Sequence, residues 1–322
     1  MSKPILSIIS PTRENFSDHW ITELLKVKGE VEFILVHPPG MEKYPLDEPR
    51  LKQINSVFRG EIFQRMTALI NASGQYVLSI NCDEYLNPEI LEFVLRYFKR
   101  FPDSWVLRLI KKSFVFGDKE GLSSPWSDIP NLEEIEIYQY SKSGKKLGDK
   151  DDFYLQEIPI APVDNKFNPL CFFSIRKDHH GRHTENFDKK IWKNTIVQES
   201  VQDIIETMKI EPIVKYVPFW CLDRLLGLFI QAKFYQKGQI IGHLLPFPEQ
   251  IRDEENPPEF ARTKRFYVFA EMLLLKRFPQ YGYFWNLIIA QLVEIPIRAV
   301  LSIQRKLSHL FKNSQPIKSV KQ

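Results

Sequence analysis

The run Gln75-Tyr76-Val77-Leu78-Ser79-Ile80-Asn81-Cys82-Asp83-Glu84, followed by Asn87-Pro88, most limits how this chain can fold. Its first six residues are β-prone and follow a Ser73-Gly74 break, so they predict a short strand. The polar and acidic residues Asn81 to Glu84 then fall where that strand should end. Asn87 and Pro88 predict a helix start, because Asn can cap orphan N–H groups and proline is tolerated at the first helical position. Open α/β sheets bind ligands beyond the carboxyl ends of their strands, which is where this acidic cluster lies. Oxygen donors there can hold Mg²⁺ or Mn²⁺, and the metal can in turn hold a diphosphate. The same residues also read as an ordinary strand, acidic turn and helix.

The flanking sequence supports an α/β sheet. Residues 4–10 form a continuous apolar run closed by Pro11, as expected of a parallel strand buried on both faces, and Val31 to Val36 reads as a second buried strand. Helical spacing covers Ser17 to Lys28, with Ser17 as a plausible cap, Gly60 to Ser73, and Pro88 to Arg100. The last of these closes on Lys99-Arg100, favourable at the negative end of a helix dipole. Further strands are expected at Trp105–Ile110, Leu132–Tyr140, Cys171–Arg176 and Ile213–Val217. Lys111 to Pro130 reads as a loop near the site, Ser141 to Asp152 as a charged turn, and Leu222 to Tyr235 as an apolar helix. Pro246 to Pro258 reads as a linker, followed by a helix from Phe260 to Phe278.

Composition removes several function classes. The three cysteines, Cys82, Cys171 and Cys221, are widely separated, which argues for a reducing compartment and against a zinc site. A net charge of +4 is too mild to argue for nucleic acid, and none is expected as a partner. No Gly-x-Gly-x-x-Gly follows the first strand, so a dinucleotide-binding oxidoreductase of the same fold class is disfavoured.

Arg65, then Ala72-Ser73-Gly74-Gln75-Tyr76, the strand, Asn81-Cys82-Asp83-Glu84-Tyr85-Leu86 and Pro88 together resemble the nucleotide-sugar-binding core of family 2 GT-A glycosyltransferases. Those proteins carry an Asp-x-Asp motif after the strand, and here its first member is Asn81. The resemblance implies a GT-A α/β domain over residues 1–217 with a helical C-terminal region at 218–322. It implies a metal-dependent, inverting transfer of a sugar from a nucleotide-sugar donor to a saccharide or lipid-linked acceptor.

Each candidate residue then has an implied role. Pro11, Thr12 and Arg13 would line the nucleotide, Arg65 would neutralise the diphosphate, and Asp83 would hold Mn²⁺ or Mg²⁺. Asn81 would orient ribose or metal-bound water, and Asn81→Asp would therefore tighten the metal. Gly181-Arg182-His183 has the form of a late metal-binding histidine, although a polar loop is the plainer reading. An inverting transferase needs a carboxylate to deprotonate the acceptor, and Glu185 and Glu199 are the two candidates. Glu199 opens an expected amphipathic helix, Glu199–Lys209. The family's acid after the second strand is missing, and His37-Pro38-Pro39-Gly40 stands there, with His37 read as a donor to a base or a solvated loop residue. Asn81 and that missing acid motivate an alternative, a degenerate GT-A domain that binds without turnover.

Phe278 to Val293 is too short and polar to cross a bilayer. Glu294, Arg298, Ser302, Arg305, His309 and Lys312 then form a polar stripe at helical spacing. Such a helix either packs on the domain or lies on an anionic membrane. Without a visible signal peptide, the expected location is cytoplasmic, with peripheral contact at the inner membrane face.

Overall fold

The computed structural model describes residues 3–14, 16–128, 130–138, 154–169, 183–208, 219–245, 248–255 and 268–293, with positions 296 and 304. The strands expected at Cys171–Arg176 and Ile213–Val217, the turn at 141–152 and the six stripe residues from Glu294 to Lys312 lie outside these residues.

The elements run in order β1 (Leu6–Pro11), α1 (Asp18–Leu24), β2 (Val31–His37), β3 (Leu51–Asn55), α2 (Glu61–Asn71), β4 (Tyr76–Ser79), β5 (Glu84–Leu86), α3 (Ile90–Arg100), β6 (Val106–Arg108) and β7 (Lys111–Phe114). They continue with α4 (Lys119–Ser123), β8 (Ile137–Tyr138), β9 (Leu155–Pro159), β10 (Lys190–Lys193), α5 (Asn194–Met208) and α6 (Phe219–Lys233). Then come β11 (Ile240–Leu244), β12 (Ile251–Glu254), α7 (Val268–Arg277) and a further helix, α8, over 282–293.

Among the described residues nine strands form one sheet in the order β3-β2-β1-β4-β10-β6-β11-β9-β8. The block β3-β2-β1-β4 is parallel, and β10 inserts antiparallel between β4 and β6. Both faces are covered. Ile34 and Val36 of β2 face one core with Val77, Trp192 and residues of α2, α5, α6, α7 and α8. Phe33 and Leu35 face the other, with Leu78, Trp20 of α1 and Phe93 and Tyr97 of α3. Two buried faces explain why β1 and β2 read as mostly apolar runs rather than alternating ones.

Gly74 shows why the turn before β4 admits no larger residue. A Cβ there would stand 2.7 Å from the backbone nitrogen of Ser7. The glycine N–H donates to Ser7 Oγ at 2.8 Å, pinning β4 beside β1.

Three sequence expectations are corrected. Residue 217 is not a seam: β11 lies in the middle of the large sheet, between β6 and β9, and residues of α6, α7 and α8 share a core with β1 and β2. The expected linker at 246–258 contains β12, which joins β5 and β7 in a three-stranded sheet. The expected loop after Lys111 contains β7 and α4. The helix after Asn87 begins at Ile90, yet Asn87 Oδ1 still accepts the Glu89 N–H at 2.9 Å, so Asn87 binds an N–H of the helix approach from two residues ahead of the cap position, Glu89.

Candidate active site

The parallel strands β1 and β4 end, and the antiparallel β10 begins, at the same sheet edge. That edge gathers Thr12 and Arg13 after β1, Asn81 to Glu84 after β4, and Asp188 and Lys189 before β10. The first turns of α2 reach it too, and they bring Arg65.

Arg65 is only 2% exposed, and its guanidinium is fully used. It donates to Glu61 Oε1 at 3.0 and 3.2 Å, to Asp188 Oδ1 at 2.8 Å, to Asn81 Oδ1 at 2.6 Å and to Ser79 Oγ. Burial works against its charge, but Asp188, Glu61 and Asp223 outweigh burial and hold the pKa above its ordinary value. The expected neutraliser of a diphosphate is thus an internal tie among α2, β4 and the approach to β10. Its planar fork, with donors on several sides, suits that role better than a lysine would.

Asn81 is the next link. Its Oδ1 accepts from Arg65, while its Nδ2 donates to Glu84 Oε1 at 3.3 Å and its backbone N–H donates to Glu84 Oε2 at 2.9 Å. An amide can accept from a cation and donate to an anion at once, which an ionised carboxylate in its place could not. Glu84 is itself buried, and burial raises its pKa even though Lys189 Nζ stands 2.9 Å away. Lys189 has φ +60°, a left-handed conformation that costs a non-glycine residue about 1–2 kcal/mol. Such strain collects at functional sites.

These ties hold the Asp83 loop from behind and leave Asp83 itself open. Its side chain is 26% exposed, and Arg13, 58% exposed, reaches it at 4.0 Å. Partial burial raises the Asp83 pKa, Arg13 and Lys189 oppose that, and Asp253 adds to it. A carboxylate in this condition gains from an added cation. Asp253 approaches from β12, its Oδ2 paired with Lys111 Nζ at 2.5 Å, and Glu254 N–H donates to the Asp83 carbonyl at 3.2 Å.

The nucleotide-side candidates divide. Pro11 is buried as the last residue of β1, and Thr12 is buried with its Oγ1 2.6 Å from His37 Nδ1. Arg13 is the exposed member of the three. His37 is neither solvated nor in a loop: it ends β2, is fully buried, and has Gln53 Oε1 at 2.9 Å from Nε2. Burial lowers its pKa, so it stands neutral where the expected acid is missing.

The structure does not bring the other candidates to this edge. Glu199 is 60% exposed on α5, near Lys233 at 3.8 Å. That helix starts at the opposite edge, where Asn194 N–H donates to Gln75 O ahead of β4. Glu185 lies under α6: a Cβ on Gly227 would come within 2.2 Å of its carbonyl. Its carboxylate accepts from Tyr283 Oη at 2.6 Å and pairs with Arg224 at 2.7 Å, and Arg224 pairs in turn with Glu271 at 2.9 Å. His183 sets its ring edge against Tyr283, centroids 6.3 Å apart, two residues before Glu185 in that buried group.

Sequence reasoning missed Asp188, Lys189, Asp223 and Asp253. Asp223, on α6, accepts the Asp188 N–H at 2.7 Å, and burial raises its pKa. The only signal available was Asp188 between Phe187 and the short run Lys189-Lys190-Ile191-Trp192, which carries no spacing to Arg65.

Among the described residues no three His, Cys, Asp or Glu side chains cluster into a metal cage. One open carboxylate does fit a hard ion that keeps its water and takes its other ligands from a diphosphate, the usual habit of Mg²⁺. Asp83 fits as the protein ligand to such an ion, whereas His183 stands with Tyr283 instead.

No protein-family model matches the chain, and no curated protein does. Solved structures do. The S. aureus protein TarS, residues 1–349 in complex with UDP-GlcNAc, is similar with a TM-score of 0.51 and 16% identity, over 85% of this chain and 66% of that one. The UDP complex of the same protein gives 0.49 and 16% over 86% and 66%. This chain therefore spans slightly less than two thirds of the chain it resembles. The likeness is one of fold, and with the parallel block and the inserted antiparallel β10 it establishes the GT-A architecture.

Proposed function

We propose that this protein is a glycosyltransferase that moves a sugar from a nucleoside-diphosphate donor to a saccharide or lipid-linked acceptor. One observation carries the reading: a partly exposed Asp83, faced by Arg13, stands beyond the end of β4 on a loop fixed from behind by Arg65, Asn81, Glu84 and Lys189. The fold supports it, and its neighbour TarS was crystallised with UDP-GlcNAc.

In this reading Arg13 is the cation that meets the diphosphate, because Arg65 is buried and committed and Lys189 is paired with Glu84. Asp83 would hold Mn²⁺ or Mg²⁺, which when bound supplies Lewis acidity to the departing nucleotide. Inversion means that the acceptor oxygen bonds to C1 as the C1–O bond to the diphosphate breaks on the opposite face. The acceptor's proton passes to a carboxylate within hydrogen-bond reach. That base belongs with the carboxylates sharing the Asp83 edge, Asp188 or Asp253, rather than with Glu185 or Glu199.

The non-catalytic alternative rests on Asn81 and the missing acid after β2. Both positions have a structural role instead, since Asn81 bridges Arg65 to Glu84 and His37 fills a closed hydrogen-bonded niche.

The test is binding and turnover across a panel of nucleotide-sugars, with and without Mn²⁺. Wild type should bind one donor with metal dependence and release the nucleoside diphosphate. Asp83→Ala should lose the metal-dependent part while melting at a similar temperature, since a ligand carboxylate on a divalent ion contributes several kcal/mol. Release that survives in Glu185→Gln and Glu199→Gln but fails in Asp188→Asn or Asp253→Asn would locate the base. Binding without release across the panel would establish the non-catalytic module. Membrane contact through residues beyond 293 belongs to the same proposal, and removing 294–322 should reduce sedimentation with anionic liposomes.

A further inference from the structure

At the sheet edge opposite Asp83 the surface opens into a hollow of about 380 Å³ between residues 163–167 and 279–285. β9 leads into it, because Pro159 pairs with Ile240 at the start of β11, and β11 runs parallel to β6. Its walls alternate aromatic rings with hydrogen-bonding groups: Phe167, Tyr281 and Trp285 against Asp164, Asn165 and Gln280. Phe167 is 48% exposed and Trp285 is 43% exposed, so two large rings stand in water at its rim.

The walls are set before any ligand arrives. A Cβ on Gly282 would come within 2.2 Å of the Phe167 nitrogen and 2.7 Å of the Asn165 carbonyl oxygen, so the two segments touch backbone to backbone. Asn168 N–H donates to Asn286 Oδ1 at 2.9 Å. Trp285 Nε1 donates to Pro279 O at 3.0 Å, which fixes the indole plane, and Tyr281 Oη donates to Ala232 O at 3.3 Å. Tyr235 holds Asp164 by a hydrogen bond. A preformed hollow of this size lowers the ordering cost of binding and falls in the range of small-molecule sites.

We infer that this hollow is a second binding site, which takes a saccharide chain away from the donor site. A sugar ring presents C–H groups on its faces, which cover aromatic rings, and hydroxyls at its edge, which need amide and carboxylate partners. The hollow offers both in alternation. A purely apolar partner would strand Asp164, Asn165 and Gln280 without water, at a cost of about 1–3 kcal/mol for each unsatisfied group. If the acceptor is polymeric, holding it here raises its effective concentration at the far edge.

The inference stands on the hollow and not on the proposed transfer reaction, and the two fail separately. The full chain is screened on a glycan array, and the best oligosaccharide is titrated by calorimetry. Wild type should bind at least one glycan, Trp285→Ala and Phe167→Ala should each weaken it tenfold or more at unchanged melting temperature, and Asp83→Ala should bind as wild type. Three results would overturn the assignment: no glycan bound, equal affinity in both aromatic variants, or loss in Asp83→Ala. An empty array with a retained nucleotide-sugar response would overturn the hollow as a saccharide site and leave the donor site intact.

Discussion

At the scale of single residues, Asn81 shows how a motif letter can mislead. Read as the first position of an Asp-x-Asp pair, it is a weakened ligand that Asp should improve. In the fold its amide joins a buried cation to a buried anion, with Oδ1 already accepting from the Arg65 guanidinium. Asn81→Asp would replace the Nδ2 donor to Glu84 with a second carboxylate, at about 1–3 kcal/mol. Glu84 already has a pKa raised by burial, and the new neighbour would raise it further. A raised carboxylate means the folded state binds more protons than the unfolded one, so stability falls as pH rises through the window between the two values. Thermal melts should therefore show Asn81→Asp near wild type in mild acid and several degrees below it at neutral pH, with Mn²⁺ binding no tighter. Tighter Mn²⁺ at unchanged stability would return Asn81 to the ligand shell. Arg65→Lys should be worse, costing about 3–5 kcal/mol, because one ammonium cannot serve Glu61, Ser79, Asn81 and Asp188 together.

At the scale of elements, what the sequence revealed follows from how local each signal is. β1 and β2 were readable because all six residues of β1 and five consecutive residues of β2, Phe33 to His37, are buried. α2 and α3 were readable from helical periodicity over eleven residues each. β7 was not, since its four residues, Lys111 to Phe114, are largely exposed and take strand geometry only by pairing with β12 some 140 positions later. The site divides the same way: Asp83 and Arg65 lie within one stretch, whereas Asp188, Lys189 and Asp253 join it through chain reversals that no spacing records. β11 carries a further consequence. His243 is 6% exposed there, its Nδ1 2.8 Å from Tyr97 Oη of α3. Burial, then Arg100, lowers its pKa to about 4. A depressed histidine stays neutral in the fold while the unfolded chain takes up a proton, so its stability contribution is present above pH 6.5 and is lost as pH falls toward 4. His243→Gln should lower stability at pH 7 yet flatten the decline between those limits in denaturant titrations. An unchanged acid slope would refute the assignment.

At the scale of the whole molecule, the decisive fact is that the chain returns to its own sheets after residue 217. β11 fills the gap between β6 and β9, and β12 fills the gap between β5 and β7. Leu225, Phe229, Leu274, Phe284 and Leu287, all from the expected helical C-terminal region, are buried in the core that also holds Ile34 and Val77. Removing everything after 217 would strip that core and expose unpaired strand edges on β6, β9, β5 and β7. Burying each large apolar side chain stabilises by about 1.5–3 kcal/mol, and a domain's whole margin is about 5–15 kcal/mol. Losing these five alone is comparable with the whole margin. A protein ending at 217 should therefore be insoluble or lack a cooperative melt. One ending at 293 keeps β11, β12, α7 and α8 and should melt cooperatively, with nucleotide-sugar binding retained. The comparison is a pair of thermal melts followed by one donor titration. A cooperative melt for residues 1–217 would show that the C-terminal part is an appendage after all. Failure at 217 with success at 293 would show one domain whose donor edge and aromatic hollow share a single sheet, so that a variant destabilising the sheet disturbs both.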